Sequence, residues 1–261
     1  MKLLVGADPE VFAKLNGEYH SAHGLVKGTK NKPFPVQDGA VQVDGMALEF
    51  NIDPAEDEEE FIHNVDSVMA QLRAMVPEYE VVATPCAHFD QAHFDAQPVV
   101  AKDLGCDPDF NAWTQAENEK PVTDKPFRTG SGHVHLGWTK NAEGQAHLGM
   151  CADFVKQSDF YLGLPSLLFD NDVERRELYG KAGAYRPKSY GVEYRVLSNK
   201  WLADASLTRW VYRAAQACFD SMRGGMLAEK YGDIQHIINT SNVDAARQII
   251  QAEGLIVPEG V

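Results

Sequence analysis

Hydrophobic and polar positions alternate or recur along this chain with periods that predict its elements. Residues 2–7 are apolar and read as a strand, interrupted by Pro9. Asn16-Gly17 is a strong turn pair, so residues 17–23 are expected to return as a hairpin partner. Val41 to Ile52 reads as the next strand, and Glu80 to Thr84 as a short one. Between 54 and 76, Phe61, Val65, Val68, Met69, Leu72 and Val76 recur at three- and four-residue steps behind an acidic first turn, which predicts a helix. Further helices are expected at 144–162, at 207–222 before Gly224-Gly225, and at 243–253 before Gly254, with a short polar one at 172–179. Residues 27–38, 85–126 and 180–188 read as loops. This order lacks the strict βαβ rhythm of a parallel sheet, so the expected class is α+β, with a largely antiparallel sheet.

Period two also picks out polar pairs. His133 and His135 lie two apart in Arg128-Thr-Gly-Ser-Gly-His-Val-His-Leu-Gly-Trp138, on one strand face and roughly 6.5–7 Å apart. Asp8 with Glu10, and Glu193 with Arg195, repeat the device. The expectation is one sheet that gathers these groups on a polar working face. Asp44 and Glu49 are five apart, an odd offset, and a bulge at Gly45 would restore a common face. Glu49 lies among Met46, Leu48, Phe50 and Ile52, so its carboxylate must be paired, bonded or metal-bound unless the strand is exposed.

The 261 residues are read as a single catalytic domain, with motifs from about 3 to 202 and helices over 203–261. A formal charge of −14 argues against a nucleic-acid groove. The run Glu56 to Glu60 reads as a solvated first helical turn. Cys86, Cys106, Cys151 and Cys218 form no CxxC pair, which argues against a zinc knot, and so few cysteines fit a reducing compartment. The start of the chain turns polar too early for a signal peptide or membrane span, so the expected location is cytoplasmic. Lys27, Lys30 and Lys32 form one basic island, and His88 and His93 read as ordinary loop histidines.

Asp8, Glu10, Glu49, His133, His135 and Glu193 combine hard oxygens with imidazoles, a set suited to Mg²⁺ or Mn²⁺. Arg175, Arg176, Lys181, Arg186 and Arg195 add cations that match phosphate oxygens. Acids for metal and cations for phosphate suggest phosphoryl transfer from a nucleotide. Neither GxxxxGK[ST] nor the GxGxxG dinucleotide fingerprint occurs. A metal-dependent hydrolase using His133 and His135 on zinc, and a non-catalytic binding protein, are the alternatives.

With these residues assembled, the chain resembles the glutamine synthetase and glutamate–cysteine ligase superfamily, and more closely its phage-type carboxylate–amine ligase family. Asp8-Pro-Glu10-Val-Phe is similar to the first-strand Glu-x-Glu motif, with Asp in place of the first Glu. Asp44-Gly-Met-Ala-Leu-Glu49-Phe-Asn resembles the second acidic strand. Gly130-Ser-Gly-His133-Val-His135 resembles Gly-Ser-Gly-x-His-x-His, one residue shorter, and Glu193-Tyr-Arg195 the Glu-x-Arg motif. Leu104 to Trp113 and Tyr179 to Arg186 are similar to segments of the phage-type family. The resemblance implies an antiparallel, curved sheet with helices on one side, whose concave face binds ATP and divalent metals. It implies that Glu10, Glu49 and Asp44 hold one metal and that Asp8, His133 and Glu193 hold another. Glu49, His135 and Arg195 would serve catalysis, with His135 and Arg195 facing the acyl substrate or the γ-phosphate. Arg175, Arg176, Lys181 and Arg186 would contact nucleotide phosphates. The implied reaction joins a small-molecule or peptide carboxylate to an amine through an acyl phosphate. Loops 24–38 and 175–189 are the lid candidates, and a homo-oligomer is compatible with the pattern.

Overall fold

A computed structural model describes residues 2–102, 108–120 and 125–261. Cys106 and part of the Leu104 to Trp113 segment therefore lie outside the described residues. The chain is α+β, and its paired strands are antiparallel. One sheet runs in the order β1 (Leu4–Ala7), β11 (Val134–Gly137), β13 (Gly191–Tyr194), β12 (Ala184–Lys188) and β9 (Phe110–Asn111). A second runs β3 (Glu18–His20), β2 (Glu10–Leu15), β6 (Ala47–Ile52), β5 (Gly39–Asp44) and β4 (Phe34–Val36), with β7 (Glu80–Val82) also on β2. A short ribbon pairs β8 (Cys86–His88) with β10 (Phe127–Thr129).

The single expected sheet is thus two, and the chain passes between them at Asp8-Pro9. Pro9 cannot donate a ladder bond, so β1 stops there and β2 starts afresh in the other sheet. The seam is held by backbone bonds from Asp8 N to His133 O (3.3 Å), Glu10 N to Ser131 O (2.8 Å) and Phe50 N to Pro9 O (3.2 Å).

Two more expectations change. Val41 to Ile52 is not one bulged strand but a hairpin. Asp44 pairs with Ala47, and Gly45 at φ 58 supplies the two-residue turn. The hairpin, not a bulge, puts Asp44 and Glu49 on one face, because Glu49 pairs with Gln42, two residues before Asp44. Residues 184–188, read as exposed loop, form β12 against β13. Their alternation was hidden by Gly, Pro and cations: Tyr185 turns into the core while Arg186 and Lys188 take the other face. The segment 175–189 is therefore not a free lid. The Asn16-Gly17 turn is as expected, with φ of 52 and 90 at its two positions.

The remaining helices are α1 (Glu58–Met75), α2 (Gln91–Asp95), α3 (Val99–Lys102), α4 (Gln145–Ser158), α5 (Leu164–Ser166), α6 (Val173–Leu178), α7 (Ala205–Ser221), α8 (Leu227–Tyr231), α9 (Gln235–Asn239) and α10 (Val243–Glu253). A π-helical turn, Asp159–Gly163, joins α4 to α5. Helices form a layer behind the sheets: α1 on β5 and β6, α4 on β12 and β13, and α7 against both helices. The acidic run starts α1. Asp57 caps Glu60 N, and Glu58 binds Arg209 and Arg213 of α7. The main core includes Phe61, Phe160, Trp201 and Trp210. A small second core, with Phe12, Met46, Ala87, Phe89 and Phe94, lies under the β8–β10 ribbon. Among the described residues no helix is long and apolar enough to cross a membrane.

Candidate active site

Register builds the site. Across four strands Gly6, His135, Glu193 and Arg186 stand side by side. Two residues along each strand, His133 and Arg195 extend the row on the same face. The intervening Val134, Leu136, Val192 and Tyr194 are buried against the helices. Asp8, released from β1, reaches His135 Nε2 at 3.0 Å and His133 Nδ1 at 3.4 Å. His133 Nδ1 is 3.7 Å from Glu193 Oε1. Donor atoms of Asp8, His133 and Glu193 all lie within 4.8 Å of one another. His133 Nε2 is buried and has no hydrogen-bond partner.

The second sheet brings the other acids. Glu10 pairs with Glu49, and Glu49 with Gln42, in a row across β2, β6 and β5. Glu10 Oε2 accepts from Ser131 N at 2.8 Å, which ties this row to the Gly-Ser-Gly turn. Lys30, from the basic island, acts on Asp44.

Burial and like charge leave these groups poised. Burial, then Asp44, pushes Glu10 up to about 7. Burial, then Asp8, Asp44 and Glu10, pushes Glu49 well above the carboxylate range. Burial also raises Asp44, although Lys30, Arg195 and Arg186 pull it down. Asp8 behaves oppositely: burial raises it, but His135 and His133 together hold it well below the usual range. Burial and the Arg195 guanidinium lower His133 to about 3, so its ring is neutral. Asp8 outweighs burial at His135 and raises it.

Glu193 is ringed by cations. Arg195 binds it directly, Lys188 Nζ lies 2.8 Å from Oε2, and Arg186 lies 3.4 Å from Oε1. Arg195 also donates from Nε to Asp109 (3.0 Å). Sequence reading missed Lys188, Asp109, Gln42, Ser131 and Tyr190, whose hydroxyl meets His135 Nδ1. Lys188 shares the parity of Arg186 and was legible in principle; the others need the fold.

Arg175 and Arg176 are not free to meet phosphate as expected. Arg175 donates to the carbonyls of Val196 (2.9 Å) and Leu197 (2.8 Å) and is only 1% exposed. Arg176 donates to the carbonyls of Asp172 and Asp170 and to Ser241. Their α6 turns them inward, where they satisfy backbone oxygens after β13 and at the α6 start. Lys181 instead lines a polar cavity of ≈ 540 Å³ with Asp109, Asn111 and Tyr179. A more apolar cavity of ≈ 500 Å³ is lined by Gly6, Ile52, His135, Trp138 and Tyr190, and by Lys2 and Lys140.

In comparison with known families, residues 115–230 fit the family described as phage phiEco32-like COOH.NH2 ligase-type 2. No curated protein matches the chain. The family resemblance read from the motifs is borne out over that span, which contains His133, His135, Glu193 and Arg195.

Proposed function

We propose that this chain, which carries the phage-type COOH-NH2 ligase pattern over residues 115–230, joins a carboxylate to an amine at the expense of ATP. The observation that carries the reading is the meeting of Asp8, His133 and Glu193 donors within 4.8 Å, beside the Glu10–Glu49 pair. Carboxylates crowded until Glu10 rises to about 7 are a poor arrangement without counter-charge. A neutral, buried imidazole is the form that binds metal, and its Nδ1 is the nitrogen that faces Asp8 and Glu193. The residues therefore fit divalent cations: Asp8, His133 and Glu193 would hold one, and Glu10, Glu49 and Asp44 another. When bound, Mg²⁺ or Mn²⁺ supplies charge neutralisation on phosphate oxygens.

The chain's own groups then have separate tasks. Arg186, Lys188 and Arg195, which crowd Glu193, would turn to phosphate oxygens once a cation satisfies that carboxylate. The substrate carboxylate oxygen attacks the γ-phosphorus, the bond to the β-γ bridging oxygen breaks, and ADP leaves. The amine nitrogen then attacks the acyl carbon, the bond to the phosphoryl oxygen breaks, and phosphate departs as the nitrogen loses a proton. We assign the handling of that proton to His135, which contacts Asp8 through Nε2 and Tyr190 through Nδ1. The apolar cavity with Trp138 and Tyr190 suits a nucleobase, and the polar one with Asp109 and Lys181 suits the carboxylate and amine. The 24–38 segment, expected as a lid, is tied to β5 by β4 and by Val43 N donating to Gly28 O (3.1 Å), so it is no freer to close than 175–189; Lys30 acts on Asp44 from within it.

The test is phosphate release from ATP with Mg²⁺ and pooled amino acids or peptides. Amine-dependent release supports ligation. Neither release nor ATP binding with any donor would sink it, and turnover without ATP on tightly held zinc would favour the hydrolase.

A further inference from the structure

A second group of donor side chains converges away from the working face, where β8 approaches the start of α6. Ala87 is buried in the small second core, so Cys86 and His88 share the opposite side of β8. Cys86 Sγ and carboxylate oxygens of Asp172 and Glu174 all lie within 4.8 Å of one another. His88 Nε2 is 3.1 Å from Glu174 Oε2. These three donors, with His88 joined to the set through Glu174, come from two distant segments, and neither the catalytic proposal nor the core packing uses them together. Asp172 spends one oxygen, Oδ1, on capping Glu174 N and Arg175 N, and its Oδ2 is not used in that cap.

We propose that Cys86, Asp172 and Glu174, completed by His88, form a separate binding site for a zinc-class divalent cation. Sulfur and imidazole in the set select a borderline metal over Mg²⁺, which prefers an all-oxygen shell. The thiol, pushed up to about 12 by burial and then by Asp172 and Glu174, stays protonated without a cation. Binding releases that proton to water as the sulfur–metal bond forms, and the cation's charge offsets the two carboxylates. The nearby cation, Arg175, is already engaged by the Val196 and Leu197 carbonyls.

The place of the site gives it a purpose. β8 pairs with β10, and β10 runs directly into the Gly130-Ser-Gly turn that carries His133. The core beneath that ribbon is small. A cation clamped between β8 and α6 would fasten the ribbon to the main body, and so set the turn whose Ser131 N holds Glu10. This inference does not rest on the ligase reading.

The experiment is titration of the chelator-treated full chain with Co²⁺, followed by thiolate-to-cobalt charge-transfer absorption. The expected result is a band that saturates at one equivalent, bleaches with Zn²⁺, persists in Cys106→Ser and disappears in Cys86→Ser. Glu174→Gln should weaken the site at least ~10-fold, and Zn²⁺ should slow hydrogen exchange at 86–88 and 127–129. Cobalt held only by Asp8, His133 and Glu193 has no thiolate and gives no such band. No thiolate band, or one that survives Cys86→Ser, overturns the proposal.

Discussion

Glu10 and His133 titrate in opposite senses, and that contrast can be read out. The folded pKa of Glu10 is raised from 4.5 to about 7, so it contributes stability below pH 4.5 that is lost as pH rises through 7. His133 is lowered from 6.5 to about 3, so its contribution is present above pH 6.5 and is lost as pH falls toward 3. The two oppose each other between about pH 4.5 and 6.5. Comparing wild type with Glu10→Gln in chelator isolates the acid. We expect the variant to gain on wild type from pH 4.5 to 7, by up to about 3 kcal/mol, as followed by thermal midpoint. Saturating Mg²⁺ should flatten the wild-type loss. A difference that does not vary with pH would show that Glu10 is not so perturbed. With Mg²⁺ at about 100 times the wild-type Kd, His133→Ala should lose the ~2.7 kcal/mol expected of one bound ligand at the Asp8–His133–Glu193 site, keeping only what the Glu10–Glu49–Asp44 site contributes, measured by denaturant titration. At this scale the sequence disclosed which side chains matter but not always where they point. Asp8, Glu10, His133 and Glu193 were visible because spacing of two in a strand fixes a face, and Glu49 because a carboxylate among Met46, Leu48, Phe50 and Ile52 needs a partner. Arg175 and Arg176 looked like phosphate ligands because composition says nothing of which way a short helix turns.

Elements were legible where their ends carry chemical signals. Residues 243–253 form α10 as expected, between the Asn242 cap and Gly254 at φ 60. β12 was missed because its inward alternation is diluted by Pro187 and by cations whose partner is Glu193, an acid distant in sequence until β12 and β13 pair. Arg175→Ala tests the corrected assignment. It leaves two buried carbonyls without their donor, so we expect a loss of about 2–4 kcal/mol in chemical denaturation. Lys181→Ala should leave the midpoint unchanged, and the reverse ranking would restore the phosphate role of Arg175. The π-helical turn offers a second test. Its Asp159 accepts from Trp113 Nε1 (2.6 Å) and Tyr194 Oη (2.7 Å), tying the segment after β9 to β13, the strand of Glu193. A Cβ on Gly163 would lie 2.8 Å from Tyr194 Oη and 2.9 Å from Ile238 Cδ1. Gly163→Ala should therefore cost about 1–3 kcal/mol, seen as a lower thermal midpoint.

At the scale of the whole molecule, the family-matched span 115–230 holds only part of the proposed metal set. Asp8, Glu10, Asp44 and Glu49 come from the first fifth of the chain, and β1 is the outer neighbour of β11. Expressed alone, 115–230 should show little protection in hydrogen exchange and no Mg²⁺-dependent stabilisation. Protected strands at β11 and β13 in such a fragment would contradict this. The α+β class was legible because mixed periods without βαβ alternation leave few arrangements. The division into two sheets was not, since Pro9 reads equally as an edge, a bulge or a crossing.

That crossing also bears on the order of assembly. Asp8 and Glu10 are near neighbours in the chain, yet each takes its partners from a different sheet. Across the seam, Asp8 of the first sheet raises Glu49 of the second only after both sheets have docked, so that repulsion falls at the last step of folding and the first of unfolding. Divalent ions should accordingly act as a latch, lengthening the lifetime of the native chain more than they hasten its formation.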